Sequence, residues 1–196
     1  MEPPAPVLSV EPGTGVAWKM RGDVLAEASR WQEAVSCYER ALELQPAFAE
    51  AHNNLGNALV RVGRLEQALA CYRQVVQLAP NVAETHSNLS KVLLDLHRYD
   101  EAIASGRHAV KLNPRLAEAH ANLGNAFLDA DLVREAVDCY HSALAINPAF
   151  PEVHNSLGNA ERSLANFDLA MAHYRRALEL MPDYAEVHNN IGVTLR

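Results

Sequence analysis

Aromatic residues are scarce: Phe, Trp and Tyr make up only 6% of the 196 residues. β-Sandwiches and barrels draw on aromatic and β-branched side chains, so this composition points instead to an Ala/Leu-rich helical chain. Cysteine is sparse too. Three thiols cannot close a disulfide framework, which favours a reducing compartment. Positive charge is the minority, with 17 Lys and Arg against 24 Asp and Glu and a formal net charge of −7. Such a chain repels phosphate backbones, so nucleic acid is not an expected partner. No apolar run reaches the roughly 20 residues that cross a bilayer, so no membrane is expected either. The opening MEPPAPVLSVEPGTG has neither the basic start nor the long apolar stretch of a signal peptide, and a cytoplasmic location is expected. Its prolines (Pro3, Pro4, Pro6 and Pro12) predict a disordered tail over residues 1–14. Apolar residues are plentiful at 49%, enough to bury a core.

The prolines also reveal a period. Pro46, Pro80, Pro114, Pro148 and Pro182 fall 34 residues apart, and other columns keep the same step. Gly22, Gly56, Gly124, Gly158 and Gly192 form one, with Ser90 in the third slot. Tyr38, Tyr72, Tyr140 and Tyr174 form another, broken by Gly106. Ala34, Ala68, Ala102, Ala136 and Ala170 form a third, and His52, His86, His120, His154 and His188 a fourth. With position 1 at Gly15, the repeats are 15–48, 49–82, 83–116, 117–150 and 151–184, and a partial repeat covers 185–196. The domain is expected to span 15–196. Each repeat carries one helical pattern near positions 2–14 and a second near 17–31. Proline at position 32 stops the second, because the residue before it is pushed out of the α region.

Small residues at positions 8, 20 and 27 let helices approach to about 8–10 Å, and larger ones at 7, 11, 24 and 30 fill between them. Each repeat must lean on the next to bury its apolar face. Repeat three reads as the weak point, since Ser90 replaces glycine and Gly106 replaces the aromatic. Filling that gap with Gly106→Tyr is expected to stabilise it. Arg21 at position 7 of repeat one reads as an N-terminal end of the stack. The half repeat 185–196 suggests continuation of the chain or end-to-end self-association.

A 34-residue helix–turn–helix with an aromatic or His at position 4, Leu-Gly at 7–8, Ala at 20, Tyr at 24 and Pro at 32 resembles the tetratricopeptide repeat. The resemblance covers residues 15–196. It implies an all-α, right-handed solenoid of helix–turn–helix repeats whose first helices line a concave groove. Pentatricopeptide repeats, with a pitch near 35 residues and RNA ligands, fit neither the spacing nor the acidity.

Candidate chemistry is thin. Equivalent side chains in neighbouring repeats stand one helix layer apart, about 10 Å, so the His column cannot share a metal ion and reads as packing. The same spacing keeps Cys37, Cys71 and Cys139 from pairing. No Walker loop, HExxH, GxGxxG or nucleophile–His–Asp order is present. No catalytic residue, metal or cofactor is assigned, and the chain itself is not expected to be an enzyme.

The amides are more telling. Asn54, Asn88, Asn122 and Asn190 stand at position 6, with Met20 and Ser156 as exceptions. Asn57, Asn125 and Asn159 stand at position 9, with Asp23, Lys91 and Val193 as exceptions. At 100° per residue, positions 2, 6, 9 and 13 share one face of the first helix, opposite the packing positions. A row of amides offers donors and acceptors at fixed spacing and suits the main chain of an extended polypeptide. The alternative is a solvated stripe, or amides bonded within their own chain. Glu50, Glu84 and Glu118 at position 2, continued by Glu152 and Glu186, make the edge acidic, so a neutral-to-basic protein or peptide segment is expected. The segments AEAHNNLGNAL and AEAHANLGNAF resemble the repeats of O-GlcNAc transferases, where the position-6 amides form a peptide-binding ladder. That resemblance implies a scaffold for protein–protein interaction, or the substrate-recruiting region of a glycosyltransferase whose catalytic domain is not in this chain. The basic clamp of chaperone-binding repeats is not matched, because Asp23, Glu84 and Asn88 stand where it needs Asn, Lys and Arg.

Overall fold

The computed structural model describes residues 13–195, so the tail expected over 1–14 lies outside the described residues except for Gly13 and Thr14. Those residues form eleven α-helices and no strand. They are α1 (Gly15–Glu27), α2 (Trp31–Leu44), α3 (Ala49–Arg61), α4 (Leu65–Leu78), α5 (Ala83–Asp95), α6 (Tyr99–Leu112), α7 (Ala117–Asp129), α8 (Val133–Ile146), α9 (Pro151–Ser163), α10 (Phe167–Leu180) and α11 (Ala185–Thr194). Two compact units are separated between Asn81 and Val82: α1–α4 in the first, α5–α11 in the second. Within each unit, consecutive helices pair antiparallel and first helices pack on their counterparts in the next repeat.

The sequence pattern explains the boundaries. Every second helix stops two residues before its proline, as α2 does at Leu44 before Pro46. The turn inside each repeat puts position 15 in the left-handed region: Ser29, His97, Asp131 and Ala165 have φ of 57–61°, and Gly63 has 77°. The amide of position 16 donates back to the carbonyl of position 11, as Arg64 does to Leu59 at 2.9 Å, which satisfies a helix C-terminus. Thr14 caps α1, its hydroxyl accepting from the Ala17 amide at 3.2 Å. First helices α3, α5, α7, α9 and α11 have no side-chain cap, but each carries Glu in its first turn, favourable to the helix dipole.

The glycine and tyrosine columns belong together. A Cβ on Gly22, Gly56, Gly124 or Gly158 would lie 2.5–2.7 Å from the ring of Tyr38, Tyr72, Tyr140 or Tyr174, all of them buried. Tyrosine is the large knob of each repeat and glycine its seat.

Repeat three is built differently, and the expected gap does not exist. Ser90 is fully buried and its hydroxyl donates to the Ala102 carbonyl at 2.7 Å. A Cβ on Gly106 would already sit 3.0 Å from Ser90 Oγ and 3.1 Å from Leu123 Cβ and Cδ1. The space a tyrosine would need is taken by Leu123 and by Ser90 itself. A tyrosine at 106 has to displace them, so a loss of stability is expected in place of the gain.

Candidate functional site

The position-6 amides are tied to the preceding repeat. Asn54 Nδ2 donates to Asp23 Oδ1 at 2.9 Å. Asn122 Nδ2 donates to Ser87 Oγ at 2.9 Å and to the Ser87 carbonyl at 3.3 Å. Asn190 Nδ2 donates to Asn155 Oδ1 at 2.9 Å, and Asn155 Nδ2 in turn donates to Glu186 Oε1 at 2.9 Å. In these three the donor end points into the stack, so the amide oxygen is the end left for anything outside. Asn88 is half-buried on α5.

The position-9 amides are oriented the other way. Tyr72 Oη donates to Asn57 Oδ1 at 2.6 Å, Tyr140 Oη to Asn125 Oδ1 at 2.8 Å, and Tyr174 Oη to Asn159 Oδ1 at 2.8 Å. In repeat one the equivalent bond runs from Tyr38 Oη to Asp23 Oδ1 at 2.9 Å. Burial raises all four phenols above their ordinary pKa, so they stay protonated donors. These bonds were not read from the sequence, although a signal was present. Position 9 is Asn or Asp wherever position 24 is Tyr, and it is Lys91 where position 24 is Gly106.

The carboxylates Glu50, Glu84, Glu118, Glu152 and Glu186 are exposed at the start of their helices. Glu50 accepts a hydrogen bond from Lys19, which also pairs with Asp23 at 3.0 Å. Repeat one departs from the stripe: Val16 and Met20, at 50% and 61% exposure, stand where later repeats have Glu and, except for Ser156, Asn.

The histidine column has a specific job beyond packing. The Nε2–H of His52, His120, His154 and His188 donates to the carbonyl of Pro46, Pro114, Pro148 and Pro182 at 2.9–3.2 Å. Each bond ties the turn between repeats to the helix after it. The constant six-residue interval between the columns was the sequence signal. In repeat five, His154 stacks on His173 with Nδ1 atoms 3.3 Å apart, and His173 has His141 at its edge. With Nε2–H of His154 committed to Pro148, its Nδ1 accepts from His173. Burial lowers the pKa of both imidazoles. Glu161, also unforeseen, is buried at position 11 and accepts from Asn166 Nδ2 at 2.7 Å.

Burial pushes the Cys71 and Cys139 thiols up to about 11 and raises Cys37 as well, which favours the neutral thiol over the nucleophilic thiolate in all three. Among the described residues no group of three or more His, Cys, Asp or Glu is placed to hold a metal ion. No helix there is long and apolar enough to cross a membrane.

Two family models match the chain: one described as TPR repeat, over residues 22–63 and 158–195, and one described as tetratricopeptide repeat, over 48–115. The chain belongs to the tetratricopeptide repeat proteins. Solved structures share the fold. A thermophilic TPR protein from Thermus thermophilus superposes with a TM-score of 0.77 at 24% identity, covering 93% of this chain and 99% of that one. MamA from Desulfovibrio magneticus RS-1 gives 0.76 at 19% identity, covering 90% and 99%. YrrB, described as a TPR protein with an unusual peptide-binding site, gives 0.69 at 19% identity, covering 89% and 90%. Among curated protein sequences none matches at a significant level.

Proposed function

We propose that the chain is a protein–protein interaction module that takes up an extended, neutral-to-basic polypeptide segment along the first-helix face. The observation that carries this reading is the amide row at positions 6 and 9, bordered by exposed glutamates. The bonds to the preceding repeat and to the tyrosine hydroxyls account for one end of each of these amides and hold it fixed, and the reading concerns the other end. A main chain offers N–H and C=O along its whole length, and fixed amides answer both. Peptide binding in YrrB is consistent with such a use of the fold. Recruitment of substrate to an O-GlcNAc transferase-like enzyme is the narrower form of this reading. Its support is the pair of segments at 49–59 and 117–127 and nothing else.

The test is titration of the full chain with a fluorescein-labelled peptide of repeated Lys-Pro-Ala triplets, which is extended and basic. Saturable binding is expected, weaker for a Glu-Pro-Ala version. Asn122→Ala with Asn190→Ala is expected to lower affinity by about 1–3 kcal/mol in total while helicity is kept. Equal binding of the two peptides together with no effect of the variant would refute the reading.

A further inference from the structure

In the second unit, α7 and α9 carry Asn125 and Asn159, whose oxygens are already occupied by Tyr140 and Tyr174. The tyrosine hydroxyl uses one of the oxygen's two lone pairs and fixes the amide flip, which leaves both Nδ2 hydrogens on the opposite side of the amide. Asn122 and Asn190 are held the opposite way, with Nδ2 inward and the oxygen left over. Repeat four carries both kinds, Asn122 and Asn125, while repeat five has Asn159 beside Ser156 and the half repeat has Asn190 beside Val193. A peptide main chain has the complementary groups, N–H and C=O.

We propose that Asn125 and Asn159 hold carbonyl oxygens of a bound polypeptide's main chain, and that Tyr140 and Tyr174 are the positioning residues that aim them. This rests on the peptide-capture reading above and specifies which way each amide works. The tyrosines lie beneath the surface and touch no ligand; they act by fixing the amide flip before the ligand arrives. Repeat three is the internal comparison. Where Gly106 removes the ring, position 9 is Lys91, a donor that needs no orienting because an ammonium has no acceptor end.

The spacing also selects the ligand's conformation. Neighbouring first helices stand about 8–10 Å apart. A polyproline II segment returns to the same face every three residues, after about 9.3 Å. A β-strand returns every second residue, after about 6.8 Å, and falls out of step within two repeats. The exposed Glu84, Glu118, Glu152 and Glu186 favour a segment carrying Lys or Arg. The occupant is thus a basic, polyproline II-like stretch of another protein.

The experiment uses the full chain and the labelled Lys-Pro-Ala peptide. The decisive variant is Asn125→Asp with Asn159→Asp. Aspartate keeps the oxygen that takes the tyrosine hydroxyl, and Asp23 under Tyr38 demonstrates that the fold accepts it. It deletes both donors while adding negative charge. If position 9 is only polar surface, the extra charge makes this basic peptide bind equally or more tightly. If the amides hold carbonyls, binding weakens roughly tenfold or more despite the charge. Tyr140→Phe with Tyr174→Phe keeps the rings and frees the amides to flip, with a weakening of about fivefold or more expected. Tighter or unchanged binding of the aspartate pair overturns the proposal. So does an unchanged affinity of the phenylalanine pair if that variant melts cooperatively; if it does not fold, the aspartate pair decides alone. Failure of the unmodified chain to bind the peptide removes the capture reading itself. Binding that is sensitive to Asn122→Ala but indifferent to position 9 removes only this inference.

Discussion

Gly124 is a glycine because Tyr140 lies where its Cβ would be, with the nearest ring carbon 2.6 Å from that point. The contact is with a buried ring held on both sides, so it cannot yield as a flexible surface chain would. Gly124→Ala is expected to lower stability by about 1–3 kcal/mol, read from the urea midpoint. The glycine and tyrosine columns are both legible in the sequence, glycine as a place where helices approach and tyrosine as a residue that fills between them. Their meeting atom for atom could not be seen in a list of columns. In repeat three the corresponding meeting is between Gly106, Ser90 and Leu123. With Ser90 Oγ and Leu123 already in the way, Gly106→Tyr is expected to destabilise by about 1–3 kcal/mol, and chemical denaturation of the single variant checks it.

At the scale of one helix pair, the turn at position 15 is the costliest backbone in the repeat. A non-glycine residue in the left-handed region costs about 1–2 kcal/mol, and glycine's extra freedom when unfolded returns part of that advantage. Ala165, at φ 60°, has no polar side chain to compensate. Ala165→Gly is expected to stabilise the chain by about 0.5–1 kcal/mol, and Gly63→Ala to destabilise it by a similar amount, both measured as shifts in thermal midpoint. Helix boundaries were readable because proline and hydrophobic period state them directly. The αL turn was readable only at Gly63, the one position where the residue type discloses the dihedral.

At the scale of the molecule, repetition made the family evident and hid the exceptions. A 34-residue rhythm announces the stack, while the direction of an amide bond, the Pro–His ties and the polar interior of repeat five have no signature of their own in composition. That interior has a consequence for pH. Folding keeps His154 and His173 neutral at a lowered pKa, with His141, Arg176, Glu179 and Glu161 as the charged or titratable neighbours. The unfolded chain takes up protons near the ordinary value of about 6.5. Below that value it binds more protons than the folded chain, so the stability these groups contribute is present above about pH 6.5 and falls as the solution is acidified. Thermal midpoints measured from about pH 7.5 down to about 5.5 are expected to drop, with a shallower drop for His173→Phe, which leaves a ring against His154 and nothing to titrate.

The Ser90, Lys91 and Gly106 triplet also bears on how such an array changes over time. Glycine introduced at 90 with Gly106 unchanged would leave a hole, and tyrosine introduced at 106 with Ser90 unchanged would collide. An asparagine at 91 would have no hydroxyl to hold its oxygen. Each intermediate is worse than either end state, so drift one letter at a time between the two solutions must cross a valley. Converting the third repeat to the pattern of its neighbours therefore takes all three replacements together, because its contacts form a self-consistent set of their own.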